Sequence, residues 1–493
     1  MTLRKKIIGV TLLLGLVVLA TALVVRTLSF TSKQGAPQDV VAIAVDERAA
    51  AERLAGALEF QTVSHQDPAL LDSAAFLDLH RYLEVTYPLV HAQLSRETVS
   101  DLSLLYTWKG QDGAADPVVL MGHLDVVPVD PATQGDWTHP PYEGVIADGY
   151  VWGRGSMDDK NSVLAALEAV ELLLRDEYRP VRTVYLAFGH DEELGGTTGA
   201  RRIAETLESR GVSDFALVLD EGGAVVDDMM PGIEGPAAII GVAEKGFVSL
   251  ELTVEGPGGH SSMPPPHTNI GILAKAITRL EENQFPARLD GAALELFQYI
   301  GPEMSFLNRM LFANLWLFRP LVMRGMIGSP QTAAMVRTTT AATIFHAGVK
   351  DNVLPMSASA VVNLRILPGE TVETVAERVR QVIDDERVSV QVSVGMDPSP
   401  VSDAAAPSFQ LLERTLRQVM PDDDLIVAPY LVMGGTDAKY YSSRSSNVFR
   451  FLPARVTADD FNRVHGTDER LGVTSFATSI KYVYQLIKNL EEL

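Results

Sequence analysis

A repeated pattern constrains this sequence most: short apolar runs stop at His, Asp or Glu and are separated by amphipathic stretches. Val118–Met121, Thr183–Phe188 and Phe215–Leu219 are such runs. They lead into Gly122-His123-Leu124-Asp125, His190-Asp191-Glu192-Glu193 and Asp220-Glu221-Gly222-Gly223. Between the first two, Ser162–Arg175 places Val163, Leu167, Val170 and Leu174 on one helical face. Ala50–Leu58 and Ala74–Thr86 also read as helices. Strands alternating with helices predict an α/β domain: a mostly parallel sheet with helices on both faces. Such sheets carry their chemistry at the carboxyl ends of the strands. The polar clusters fall there.

The pattern changes near Lys245. Phe247–Glu255 alternates as a half-buried antiparallel strand does, with Val248, Leu250, Leu252 and Val254 on one face. Ile270–Leu280 and Val372–Ile383 read as helices, and Ala360–Ile366 and Val388–Val394 as strands. This predicts an α+β insertion. The expected division is a catalytic domain in two parts, 41–245 and 398–493, around a lid or dimerisation domain, 246–397, with a long insert at 285–345. Within that insert, Met304–Met323 is apolar but holds Asn308, Arg309, Asn314 and Arg319, too polar for a membrane span. It reads as a packed helix, as a gate for a fatty acyl chain, or as a surface that rests on a membrane.

The N-terminus carries a separate signal. Arg4, Lys5 and Lys6 precede an uncharged run of 19 residues, Ile7–Val25. Cations on that side predict a cytoplasmic N-terminus and an extracytoplasmic catalytic body. Residues 1–28 are thus expected to form an anchor, with a polar linker over 29–40. If Ala20-Thr21-Ala22 is a cleavage site, the body is secreted instead.

The chain has 41 Lys and Arg against 63 Asp and Glu, a net charge of −22, which argues against nucleic acid as a partner. It has no Cys, so thiolate nucleophiles and sulfur-ligated metals are excluded, and a metal must be held by His and carboxylates. Two more polar clusters are Gly153-Arg154-Gly155-Ser156-Met157-Asp158-Asp159-Lys160 and Val464-His465-Gly466-Thr467-Asp468-Glu469. Singly, each reads as a turn or a helix cap. Gathered at one sheet edge, so many carboxylates require cations. Two divalent ions bridged by one carboxylate satisfy them and leave one carboxylate free as a base.

The run Trp137–Ser162 (WTHPPYEGVIADGYVWGRGSMDDKNS), with GHDEELGG and GGHSSMP, resembles the co-catalytic zinc exopeptidases of the aminoacylase-1, carnosinase and glutamate carboxypeptidase type. The DDKNS ending and the long insert look most similar to the Gly-Xaa carboxypeptidases and the N-fatty-acyl-amino-acid hydrolases/synthases. The resemblance covers nearly everything after the linker. It implies two Zn²⁺ per subunit, with Co²⁺ or Mn²⁺ as substitutes. His123, Asp158, Glu193, Asp220 and His465 are then the ligands, with Asp158 bridging. Glu221 could replace Asp220, and counting along the strand from Asp214 favours Asp220. Asp125 would orient His123, and Glu192 would be the general base. His260 would steady the oxyanion, commonly in the site of a partner subunit, with help from Asn352. Arg365 would grip the substrate's α-carboxylate.

The implied activity is that of a metallopeptidase: hydrolysis of a small peptide or N-acyl-amino acid with a free carboxylate. A homodimer through the lid is expected on the same ground. The alternatives are N-fatty-acyl-amino-acid hydrolysis and synthesis and, from another class, a non-catalytic membrane-anchored ligand-binding protein. A retained Glu192-Glu193 pair speaks for catalysis.

Overall fold

The computed structural model describes residues 3–230, 232–422 and 424–493. Met1 and Thr2, part of the expected anchor, lie outside them. Their order in the central sheet explains how distant clusters meet. The strands run Ser95–Val99, Ser103–Trp108, Val184–Gly189, Val118–His123, Leu217–Asp220, Val448–Arg450, Pro236–Glu244, Ala224–Asp227 and Arg455–Val456. Ile426–Val432 pairs in parallel with Pro236–Glu244. The middle is parallel: Val118–His123 lies between Val184–Gly189 and Leu217–Asp220, and Val448–Arg450 continues in parallel beside Leu217–Asp220. Antiparallel pairs at both sides complete a mixed sheet.

Helix Lys160–Arg175 covers one face and is buried nearly all round, alongside Glu47–Leu58 and Val473–Asn489. A helix buried on every side must satisfy its polar groups. Glu168 pairs with Arg53 and accepts from Tyr87 Oη at 3.0 Å. Glu171 accepts the backbone N–H groups of Leu89 and Val90 at 3.0 and 2.9 Å. The opposite face packs on helix Ala200–Ser209. Gly122 permits the close approach of the first helix: a Cβ there would stand 3.1 Å from Asp159 Oδ2 and 3.3 Å from Val163.

The inserted domain, expected to be a lid or dimerisation domain, is a four-stranded antiparallel sheet in the order Thr339–Ala347, Ser357–Ile366, Gly246–Glu255, Val388–Met396. Helices Asn269–Glu282 and Val372–Ile383 cover one face and build a separate core. Its two connections run side by side. Glu244 N–H donates to Ser399 Oγ at 2.8 Å, and Ser399 N–H donates to Glu244 O at 3.3 Å.

Two features depart from the sequence reading. Much of the long insert packs on the catalytic core and not on the lid: Leu296, Ile300, Met304, Val322 and Val336 join the cluster that holds Leu120 and Leu219. Its helix Gly291–Ile300 lies against strand Ile426–Val432, burying Ala292, Ala293, Leu296, Phe297 and Ile300. The expected linker packs on the body: Val427 N–H donates to Gln34 Oε1 at 2.8 Å, and Gly35 N–H to Glu413 Oε1 at 2.6 Å.

Candidate metal centre

Strand Val118–His123 delivers His123 at its carboxyl end, fully buried. Its Nδ1 lies 2.9 Å from Asp125 O and 3.4 Å from Asp125 Oδ1. That leaves Nε2 facing the cluster, 2.9 Å from Asp158 Oδ1. The other oxygen of Asp158 lies 2.9 Å from His465 Nε2. Asp158 therefore sits between the two histidines. His465 Nε2 is also 3.3 Å from Glu193 Oε1. His465 occupies the left-handed region at φ 60°, which turns its loop toward the sheet edge.

Asp125 orients more than the histidine. Its Oδ1 accepts Glu192 N–H and its Oδ2 accepts Glu193 N–H, both at 3.1 Å. One residue thereby fixes both, His123 through its main-chain carbonyl and the short turn that presents the glutamates through its buried carboxylate.

Asp220 and Glu221 separate by strand parity. Val218 faces Ala438 and Tyr441, and Asp220, two residues on, shares that face. Its Oδ2 accepts Ala438 N–H at 2.7 Å. Leu219 faces helix Lys160–Arg175, and Glu221 shares that side. Glu221 Oε1 lies 3.6 Å from His123 Nε2. The sequence-favoured Asp220 is thus turned away from the two histidines, and Glu221 stands beside His123.

The expected substrate groups lie elsewhere in the subunit. His260 is exposed on a ribbon of Gly259–His260 and Val353–Leu354, where its Nδ1 accepts Ser262 N–H at 3.1 Å. Asn352 is exposed beside it and accepts Ser261 N–H at 3.1 Å through its carbonyl. Arg365 is exposed on the lid sheet, 5.8 Å from the Phe247 ring centre.

Glu469 has a part that the sequence did not disclose. It is fully buried, and its Oε1 accepts the N–H groups of Gly155, Met157 and Asp158 at 3.0, 2.8 and 3.2 Å. Its Oε2 meets Arg154 Nη1 at 2.5 Å. This single carboxylate holds the loop that carries Asp158. Glu469 follows His465 by only four residues, but its partner Arg154 is 315 positions away, so no local pattern marks the contact. Asp159, after the cis Asp158–Asp159 peptide, accepts His123 N–H at 3.3 Å and the Ser162 hydroxyl.

Negative charge is in excess here. Burial first, then Asp158 and Asp159, push the Glu221 carboxyl well above its ordinary range. Burial also raises Glu192, with Asp437 and Glu193 adding to it against the pull of His123. The Asp158 carboxylate, and after it the nearby Glu193 carboxylate, push His465 up to about 10. Donor atoms of His123, Asp158 and Glu193 lie within 4.8 Å of one another, and so do those of His123, Asp159 and Glu221. Glu193 Oε1 is buried without a hydrogen-bond donor, an acceptor the polypeptide leaves unsatisfied. A set of imidazoles and carboxylates with an orphaned buried oxygen fits divalent cations of the zinc, cobalt or manganese kind.

An apolar cavity of about 250 Å³ adjoins this cluster. Asp158 and Glu221 line it together with Val226, Ile239, Tyr430 and Phe461.

An α/β sheet whose carboxyl edge gathers the buried His123, the exposed His465 and a set of carboxylates is the arrangement of a metallohydrolase. The model of peptidase family M20/M25/M40 matches residues 119–489, and the chain belongs to that family. It is 41 % identical over 497 residues to probable carboxypeptidase S-like 2 of Dictyostelium discoideum, covering 99 % of this chain and 94 % of that one. It is also 41 % identical over 445 residues to the human N-fatty-acyl-amino acid synthase/hydrolase PM20D1, covering 89 % and 87 %. Human carnosine dipeptidase 1 shares the fold at a TM-score of 0.63 and 16 % identity, over 91 % of this chain and 97 % of that one. The protein is a metal-dependent hydrolase of the carboxypeptidase and aminoacylase type. The alternative of a non-catalytic binding protein falls with that.

Proposed function

We propose that this enzyme hydrolyses N-acyl-amino acids with an apolar acyl group, using His123, Asp158, Glu193, Glu221 and His465 to hold two zinc ions. The apolar cavity beside Asp158 and Glu221 carries the proposal, because it offers an acyl chain a dry surface next to the reacting amide. The likeness to a synthase/hydrolase of N-fatty-acyl-amino acids supports it.

When bound, the two cations supply Lewis acidity that makes a water nucleophilic near neutral pH and polarises the scissile carbonyl. Glu192 takes the proton of the attacking water and gives it to the leaving amine. Its place beside the ligand Glu193, on a turn held by Asp125, suits both halves of that transfer. Asp125 holds Glu192 and Glu193 through their backbone amides and keeps the His123 ring in place. His260, Asn352 and Arg365 act on a substrate in the partner subunit's site. The exposure of Met263, Val349 and Met356 around His260 and Asn352 supports a dimer contact there. Helix Leu3–Leu28 serves as a membrane anchor with the catalytic body outside the cytoplasm.

The full chain in detergent, given a Gly-Xaa dipeptide, an N-acetyl-amino acid and an N-oleoyl-amino acid, should release amino acid fastest from the oleoyl substrate. A chelator should abolish that release, and added Zn²⁺ restore it. Preference for the dipeptide would replace the acyl reading with a carboxypeptidase one. Glu221→Ala should lower bound metal, read by atomic emission on the purified protein, whereas Asp220→Asn should leave it near wild type. The reverse ranking would return the ligand to Asp220.

A further inference from the structure

The two insert helices Phe306–Ala313 and Leu315–Met326 have one side committed to the protein and one side bare. Their committed side reaches the N-terminal helix. Asn314 is fully buried and donates through Nδ2 to Leu23 O at 3.2 Å and Thr27 Oγ1 at 3.3 Å. Arg309 Nε donates to Thr27 O at 3.1 Å. The insert thereby grips the carboxyl end of the apolar segment Ile7–Leu28. At about 1.5 Å per residue, Leu23 lies roughly 7.5 Å inside the end of that segment. Interfacial helices bury their apolar faces to about 5–10 Å.

The bare side has the composition such a depth requires. Leu307 is 68 % exposed, Leu321 57 % and Trp316 56 %, and Phe306, Leu317 and Ile327 are exposed with them. Apolar side chains and a tryptophan at the headgroup level are the marks of interfacial segments. Charge points the same way. From Met304 to Lys350 there is no Asp or Glu, but there are Arg309, Arg319, Arg324, Arg337 and Lys350, in a chain whose net charge is −22. A local excess of cations on an acidic protein is complementary to anionic headgroups.

We propose that the outward face of 306–327 docks on a phospholipid bilayer, with Trp316, Leu307 and Leu321 entering the headgroup–acyl boundary and the exposed Arg319 and Arg324 meeting anionic lipid. This rests on helix Leu3–Leu28 being retained as a span. The insert would then fix the orientation of the catalytic body on the membrane, where a single-span helix alone leaves it free to swivel.

The test uses the full chain in nanodiscs of phosphatidylcholine and phosphatidylglycerol, with or without bromine high on the acyl chains. Trp316 is one of four tryptophans, and brominated lipid should quench the share of emission that Trp316→Phe removes. In the Trp316→Phe chain the two kinds of disc should then give the same emission. Leu307→Asp with Leu321→Asp should weaken the quenching while the protein still floats with lipid vesicles. Equal wild-type emission in both discs, from protein that floats, would overturn the docking and leave the anchor standing. A second copy covering Trp316 would give that same result. Failure of the wild-type chain to float would overturn both.

Discussion

Glu192→Gln should lower turnover by about 10²–10⁴-fold, the range that a positioned general base contributes. The amide keeps the size of the side chain but cannot take a proton. The backbone N–H groups of residues 192 and 193 still find Asp125, so the turn should stay in place. Metal content should therefore remain at the wild-type level. The decisive pair of measurements is hydrolysis rate and metal per chain on the same preparation. Unchanged turnover would remove Glu192 from the base role. Loss of both rate and metal would place its carboxylate among the ligands.

Glu469→Ala should be the most destabilising single change at the site, by about 3–5 kcal/mol. That is the usual cost of leaving one partner of a buried ion pair alone. Arg154 would keep its charge in the interior, and three backbone N–H groups would lose their acceptor. Against a total stability of about 5–15 kcal/mol, the loss is large. It should appear as a lower urea midpoint and a lower metal content, since the loop that presents Asp158 loses its hold. Glu469→Gln, which keeps one carbonyl acceptor for those amides, should lie between. An alanine variant as stable as wild type would show that water can replace the carboxylate.

Much of the sheet was legible because its central strands are short apolar runs that end in chemistry-bearing residues. His123 and the Glu192-Glu193 pair follow such runs directly. The choice between Asp220 and Glu221 was harder, because side chains alternate across a strand and a one-residue step changes the face. What settles the direction of Asp220 is the N–H of Ala438, more than two hundred residues away. Glu469 was invisible for the same reason: its partners lie in a loop at 154–158. The strands Ile426–Val432 and Val448–Arg450 lie outside the strands read from the sequence, and Val448–Arg450, only three residues long, is too short to show a period. The insert was assigned to the lid because chain order placed it there, whereas its apolar face found the larger core.

The position of Val448–Arg450 also sets a timetable. This strand lies between Leu217–Asp220 and Pro236–Glu244, so the sheet has a gap at its centre until the chain is nearly complete. About 230 residues separate it from its parallel partner Leu217–Asp220, roughly 10–50 s of synthesis at 5–20 residues/s. During that interval two strand edges stand open, a state prone to pairing with other chains. The carboxylate that holds the Asp158 loop emerges later still. The lid, by contrast, has all its strands once Met396 is made. The nascent enzyme therefore acquires its peripheral body first and its active centre last, and a transcript cut short after the lid yields no weaker enzyme, only an unclosed sheet.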